Sequence, residues 1–173
     1  EGEQEGTEEP VTADDGWRRG AVRFVSAIAN GWLHDRRSDS ASMDCPNCGA
    51  RPVVFDVPTE YREHVPREAS RAALCPECLT LIAAESEAAD PEPRFDRISS
   101  AFPGGEAAVP LAIGIGLLDS IALHRSSLEE LFTAAESAGA DPLLLLDRLH
   151  VQGGVTPEFD IDRRRHQLEQ ILT

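Results

Sequence analysis

Cys45-Pro46-Asn47-Cys48-Gly49 and Cys75-Pro76-Glu77-Cys78-Leu79 hold all four cysteines of this 173-residue chain, with 26 residues between the two pairs. Each Cys-x-x-Cys closes a tight turn that sets both sulfurs on one side. Two such turns complete a tetrahedron of thiolates around one metal ion, with bonds of about 2.3 Å. Unrelated buried thiols have no reason to fall into pairs at this spacing, so Cys45, Cys48, Cys75 and Cys78 are expected to bind a single Zn2+. Four protein ligands leave no open coordination position, and zinc here is expected to support folding rather than chemistry. Gly49 suits the positive-φ place that follows such a turn. Leu79 stands at the matching place in the second pair, so a less regular second turn is expected.

The flanking sequence suggests the fold. Arg51-Pro52-Val53-Val54-Phe55-Asp56-Val57 reads as a strand with Val53, Phe55 and Val57 on one face, stopped by Pro58. Thr59 to Val65 offers about one helical turn, capped by Thr59, before Pro66. Residues 71–74 lead into the second cysteine pair, and Leu79-Thr80-Leu81-Ile82 leaves it as another short strand. This is the order of a zinc ribbon, expected over residues 43–83. Residues 84–96, rich in Ala, Glu, Asp and Pro, read as a linker.

From residue 97 to 173 the pattern is helical. A short helix over Arg97–Phe102 stops at Pro103-Gly104-Gly105. An apolar helix follows over Glu106–His124, with Leu111, Ile115, Leu118 and Ile121 inward. Ser126 or Ser127, with Glu129 or Glu130 three residues on, has the form of a capping box for the next helix, which Gly139 closes. Asp141-Pro142 starts a third helix, with Leu144, Leu145 and Leu149 facing inward until Gly153-Gly154. Asp160 or Asp162 caps the last. The fold class expected is α+β: a small β zinc ribbon followed by an all-α four-helix domain. No apolar run approaches the roughly 20 residues that a membrane span needs.

Residues 1–42 read as an acidic, disordered leader. Within it, Trp17, Ala21, Phe24, Val25, Ile28 and Trp32 recur at helical spacing beside Arg18, Arg19 and Arg23. They form a candidate amphipathic helix for a membrane surface, a partner or the chain's own core. The only methionine, Met43, offers an alternative translation start that would leave residues 1–42 untranslated.

All 16 basic residues are arginine, and the net charge is −15. Heavy acid without lysine matches a halophile's adaptation to molar salt, of the kind seen in halophilic archaea, and is not in itself evidence of a basic partner. The same charge disfavours a general nucleic-acid surface, because phosphate contacts need clustered cations. Arg51, Arg62, Arg67 and Arg71 are the ribbon's candidates for a local basic face. Paired cysteines at metal spacing point to a reducing compartment, and a cytoplasmic location is expected. No secretory signal peptide is expected from this acidic opening.

Other clusters read as structural. His64, His124, His150 and His166 have no Cys or His at ligand spacing and are expected as surface or capping residues. Arg163-Arg164-Arg165-His166 splays around a helix and is expected to pair with neighbouring acids. Gly114-Ile115-Gly116 follows no strand, so close helix packing explains it better than a nucleotide loop. No Ser/His/Asp, Cys/His or paired-carboxylate arrangement stands out, and no enzymatic activity is expected.

The two cysteine pairs, Ala107-Ala108-Val109-Pro110-Leu111, the run Asp141–Leu149 and the ending Asp162–Gln170 together resemble an uncharacterised haloarchaeal four-cysteine zinc-ribbon family over residues 43–172. The resemblance implies zinc at Cys45, Cys48, Cys75 and Cys78 and brings no activity with it. The function expected is a structural zinc-binding protein that acts as an interaction module or regulator, through an unknown protein partner or self-association. Two alternatives stand. One is a nucleic-acid-associated ribbon in transcription or translation. The other is a rubredoxin-like iron electron carrier; against it, Phe55 and Tyr61 are the only aromatic residues between the cysteine pairs.

Overall fold

Three short strands form an antiparallel sheet in the order β1-β2-β3: β1 Val53–Asp56, β2 Arg71–Leu74 and β3 Leu81–Ala83. The computed structural model describes residues 43–85 and 87–172. The expected leader and amphipathic helix fall on residues 1–42, outside the described part. Val53 pairs with Leu74 and Phe55 with Ala72, while Leu74 pairs with Leu81. Val53, Phe55, Ala72 and Leu74 lie on the face that enters the hydrophobic core, as the alternation of β1 requires.

The strand β2 is absent from the sequence reading for a physical reason. Arg71-Ala72-Ala73-Leu74 has almost no β-branched or aromatic character, and it is held as a strand by pairing on both sides. Between β1 and β2 the expected helical turn is a 3₁₀ turn, Thr59–His64. Pro58 rather than Thr59 takes the cap position, and no side chain bonds there.

Among the described residues four α-helices follow: α1 Ala108–Gly116, α2 Arg125–Ser137, α3 Pro142–Gln152 and α4 Ile161–Leu172. The long helix expected over Glu106–His124 is shorter in fact. It stops at Gly116, and Leu118–Ser120 forms a separate 3₁₀ turn. Two glycines in the last three positions weaken its end. The expected Ser126/Ser127 cap does not form either: α2 starts at Arg125 after His124, with no side-chain cap. Asp141 does cap α3, accepting from Leu144 N at 2.9 Å, and Asp160 accepts from Arg163 N at 3.0 Å at the start of α4. In α3 the inward residues are Leu145, Leu146 and Leu149. Leu144, expected inward, is 51 % exposed. The buried stripe runs Pro142, Leu145, Leu146 and Leu149 at i, i+3, i+4 and i+7, and Leu144 lies off it.

The helix α1 is apolar along almost its whole length, and seven of its nine residues are buried. That pattern belongs to a helix covered on several sides. A methyl group at Gly114 would lie 2.5 Å from Phe132 Cε1 on α2, and one at Gly116 would lie 2.5 Å from Leu81 Cβ on β3. The two glycines let α1 sit closely between α2 and the sheet, as the sequence suggests.

A single hydrophobic cluster runs from Val53, Phe55 and Leu74 in the sheet through Leu111 and Ile115 to Phe132, Leu146 and Leu168 in the helices. The stretch read as a solvated linker takes part in it. Ala84 is buried, and Phe95 packs between Phe55 and Phe102, with ring centroids 5.4 and 5.0 Å away. The described residues all fall in one compact unit. None of their helices is long and apolar enough to cross a membrane.

Candidate metal centre

The two cysteine turns have the same backbone. Gly49 N–H donates to Cys45 O (2.8 Å) and Leu79 N–H to Cys75 O (3.1 Å). Cys45 N–H donates to Ala50 O (2.8 Å) and Cys75 N–H to Thr80 O (3.0 Å). The second turn is therefore as regular as the first, contrary to the expectation from Leu79. Leu79 adopts the left-handed conformation (φ +59°) that Gly49 adopts at φ +78°. For a non-glycine residue this costs about 1–2 kcal/mol. Leu79 is 1 % exposed and belongs to the main core. Burying a leucine side chain stabilises by about 1.5–3 kcal/mol, enough to hold the strained backbone in place.

The turns face each other. Cys45 Sγ lies 3.5 Å from Cys78 Sγ, and Cys48 Sγ lies 3.4 Å from Cys75 Sγ. All four sulfurs fall within 4.8 Å of one another. A tetrahedron with metal–sulfur bonds of about 2.3 Å has sulfurs about 3.8 Å apart, so the four cysteines can hold a metal ion after small adjustments. Cys45, Cys75 and Cys78 are buried and Cys48 is exposed. The cluster stands at one end of the sheet, with Ile82 and Ala50 packed against it. The C-terminal half also reaches it: Thr156 N–H donates to Glu77 O, inside the second turn, at 2.6 Å.

The thiols differ electrostatically. Burial pushes Cys75 up to about 12. Cys78 is held down to about 6 even though burial opposes it, because the Thr80 hydroxyl, the Thr80 backbone and the Asn47 side chain favour its thiolate. Thr80 Oγ1 lies 3.1 Å from Cys78 Sγ. Thiolates are the ligands, so a cation that enters the cluster displaces protons from the thiols that still carry them. Metal binding accordingly strengthens as pH rises.

The remaining candidates each have contacts of their own. Arg62 Nε donates to Val57 O, Arg71 donates to the carbonyls of Glu85 and Glu87, and Arg67 sits in a left-handed turn (φ +64°). Arg51 borders a cleft of about 480 Å³ with Arg94, Arg97 and Asp90. In Arg163–His166, Arg165 pairs with Glu169 (2.5 Å) and Asp162 (3.7 Å), and His166 lies 3.5 Å from Asp162, as expected for intrahelical pairing. Arg164 instead donates to Gln167 and to Asp119 O. His150 and His166 are exposed. His64 is not a surface residue: it is buried, with Glu130 3.5 Å from its Nε2. Spacing gave no sign of this contact, because Glu130 is 66 positions away and meets His64 only through packing.

The chain belongs to a family described as a family of unknown function (DUF6276), whose model matches residues 44–172. No curated protein and no solved structure matches it.

Proposed function

We propose that this member of the DUF6276 family is a non-catalytic protein-interaction module, stabilised by one structural Zn2+ at Cys45, Cys48, Cys75 and Cys78. A closed set of four thiolates fits a structural zinc site and also fits iron. Zinc is favoured because Phe55 and Tyr61 are the only aromatic residues between the cysteine pairs, unlike the aromatic-rich surroundings of a rubredoxin iron. The interaction reading rests chiefly on the outer face of α3. Leu144 is 51 % exposed and Val151 is 72 % exposed, and seven residues place them two turns apart on one side of the helix. Leu144 also lines a shallow cleft of about 250 Å³ with Ala101, Pro103 and Ala140. Exposed apolar side chains are a feature of protein contacts, and here Asp147 and Arg148 stand between the two on the same face, making it a mixed apolar and charged surface.

A nucleic-acid partner has weaker support. Two of the ribbon's four arginines spend donors on backbone carbonyls, and Arg51 shares its cleft with Asp90. The test is affinity capture together with light scattering, comparing the native chain with the double variant Leu144→Glu/Val151→Glu. Loss of the captured protein, or of self-association, in the variant supports the proposal. Capture only of RNA or DNA complexes that vanish on nuclease treatment sinks it. A visible charge-transfer spectrum from bound iron would overturn the zinc assignment.

A further inference from the structure

We propose that Glu63, His64 and Glu130 form a second metal site, separate from the four cysteines, for a divalent cation of the zinc class. His64 ends the 3₁₀ turn between β1 and β2, and its side chain is 5 % exposed. Its Nε2 is buried and has no hydrogen-bond partner. An orphaned buried polar atom costs about 1–3 kcal/mol, so a site that retains one calls for a ligand. Glu130 Oε2, on α2, is 3.5 Å away, beyond the 2.7–3.2 Å of an ordinary N–H···O bond. Glu63 completes the group, and one ligand atom from each of the three residues lies within 4.8 Å of the others.

The His64–Glu130 distance suits an ion between the two atoms. Bonds of about 2.1 Å to an imidazole nitrogen and a carboxylate oxygen, at a tetrahedral angle, hold the two atoms about 3.4 Å apart. Two carboxylates balance the charge of a dication, and a nitrogen donor favours zinc-like metals over calcium or magnesium. Glu63 and Glu130 are exposed, which gives the ion a path from solvent. Three protein ligands leave the fourth position to water. A direct His64–Glu130 ion pair accounts for two of the same residues, but it needs neither Glu63 nor a metal, and it predicts one bound ion per chain.

The experiment is a titration of the full chain with Zn2+, and in parallel with Co2+, after the four-cysteine site has been filled. Native protein takes up a second equivalent. Glu130→Gln and Glu63→Gln, both at exposed positions, each weaken that uptake at least about tenfold. Both leave the cobalt–thiolate charge-transfer band of the cysteine site unchanged, which also reports that the variants are folded. Uptake of one equivalent by the native chain overturns the proposal. So does a second equivalent bound equally well by native protein and both variants.

Discussion

Leu79 shows how a single residue can belong to two structures at once. Its backbone completes the second cysteine turn in a conformation that suits glycine, while its side chain fills the core. These demands can be separated by substitution. Leu79→Ala removes most of the buried side chain but keeps the strained backbone, at a cost of about 2–5 kcal/mol. Leu79→Gly loses one more buried methyl group, worth about 0.8 kcal/mol, but relieves about 1–2 kcal/mol of backbone strain. Leu79→Gly is thus expected to be the more stable of the two by up to about 1 kcal/mol, measured as denaturant midpoints of the metal-loaded proteins. An alanine variant equal to or better than the glycine variant would show that the left-handed turn carries no strain.

Among the elements, α1 sets the spacing of its neighbours. In an ordinary exposed helix, glycine to alanine stabilises by roughly 0.5–1 kcal/mol. At Gly116 the added methyl would meet Leu81 Cβ at 2.5 Å, an atom attached to the backbone of β3 that cannot swing aside. Gly116→Ala is therefore expected to destabilise by about 1–3 kcal/mol, the usual cost of overpacking. Thermal melting of the variant checks the sign. Gly114→Ala meets the Phe132 ring instead, a side chain that can tilt, so it is expected to cost less. The glycine pair was legible in the sequence as a sign of close packing. Its two neighbours were not, because α2 and β3 come from opposite sides along the chain and only packing brings them to one helix.

At the scale of the described residues as a whole, the four-cysteine cluster and the helices are linked through the core and not only through the chain. Leu79 and Leu81 join the cysteine turn to α1, and Thr156 bonds back to Glu77. A structural zinc site contributes on the order of 10 kcal/mol, comparable with the entire stability of a small domain. Chelation of the metal, or Cys75→Ser, is expected to lower the melting temperature of sheet and helices together, in one transition. Far-ultraviolet circular dichroism, which follows the helices, would then track the loss of bound metal. Retention of the full helical signal after metal removal would show that the helices stand without the ribbon.

The sequence alone determined the features that depend on local chemistry. Cysteine spacing pointed to a cluster of four sulfurs, alternation placed Val53 and Phe55 on the inner face of β1, and Asp141-Pro142 marked the start of α3. These signals are contained within a few residues, so they survive without knowledge of the rest of the chain. The tertiary structure decided what depends on distant neighbours. Pairing on both sides made a strand of Arg71–Leu74, the common core drew in Phe95 from the supposed linker, and burial held Leu79 in a left-handed turn. It also brought Glu130 to the unpartnered nitrogen of His64. In each case the stabilising partner lies far along the chain, and the burial energy that selects the conformation exists only once the layers have met.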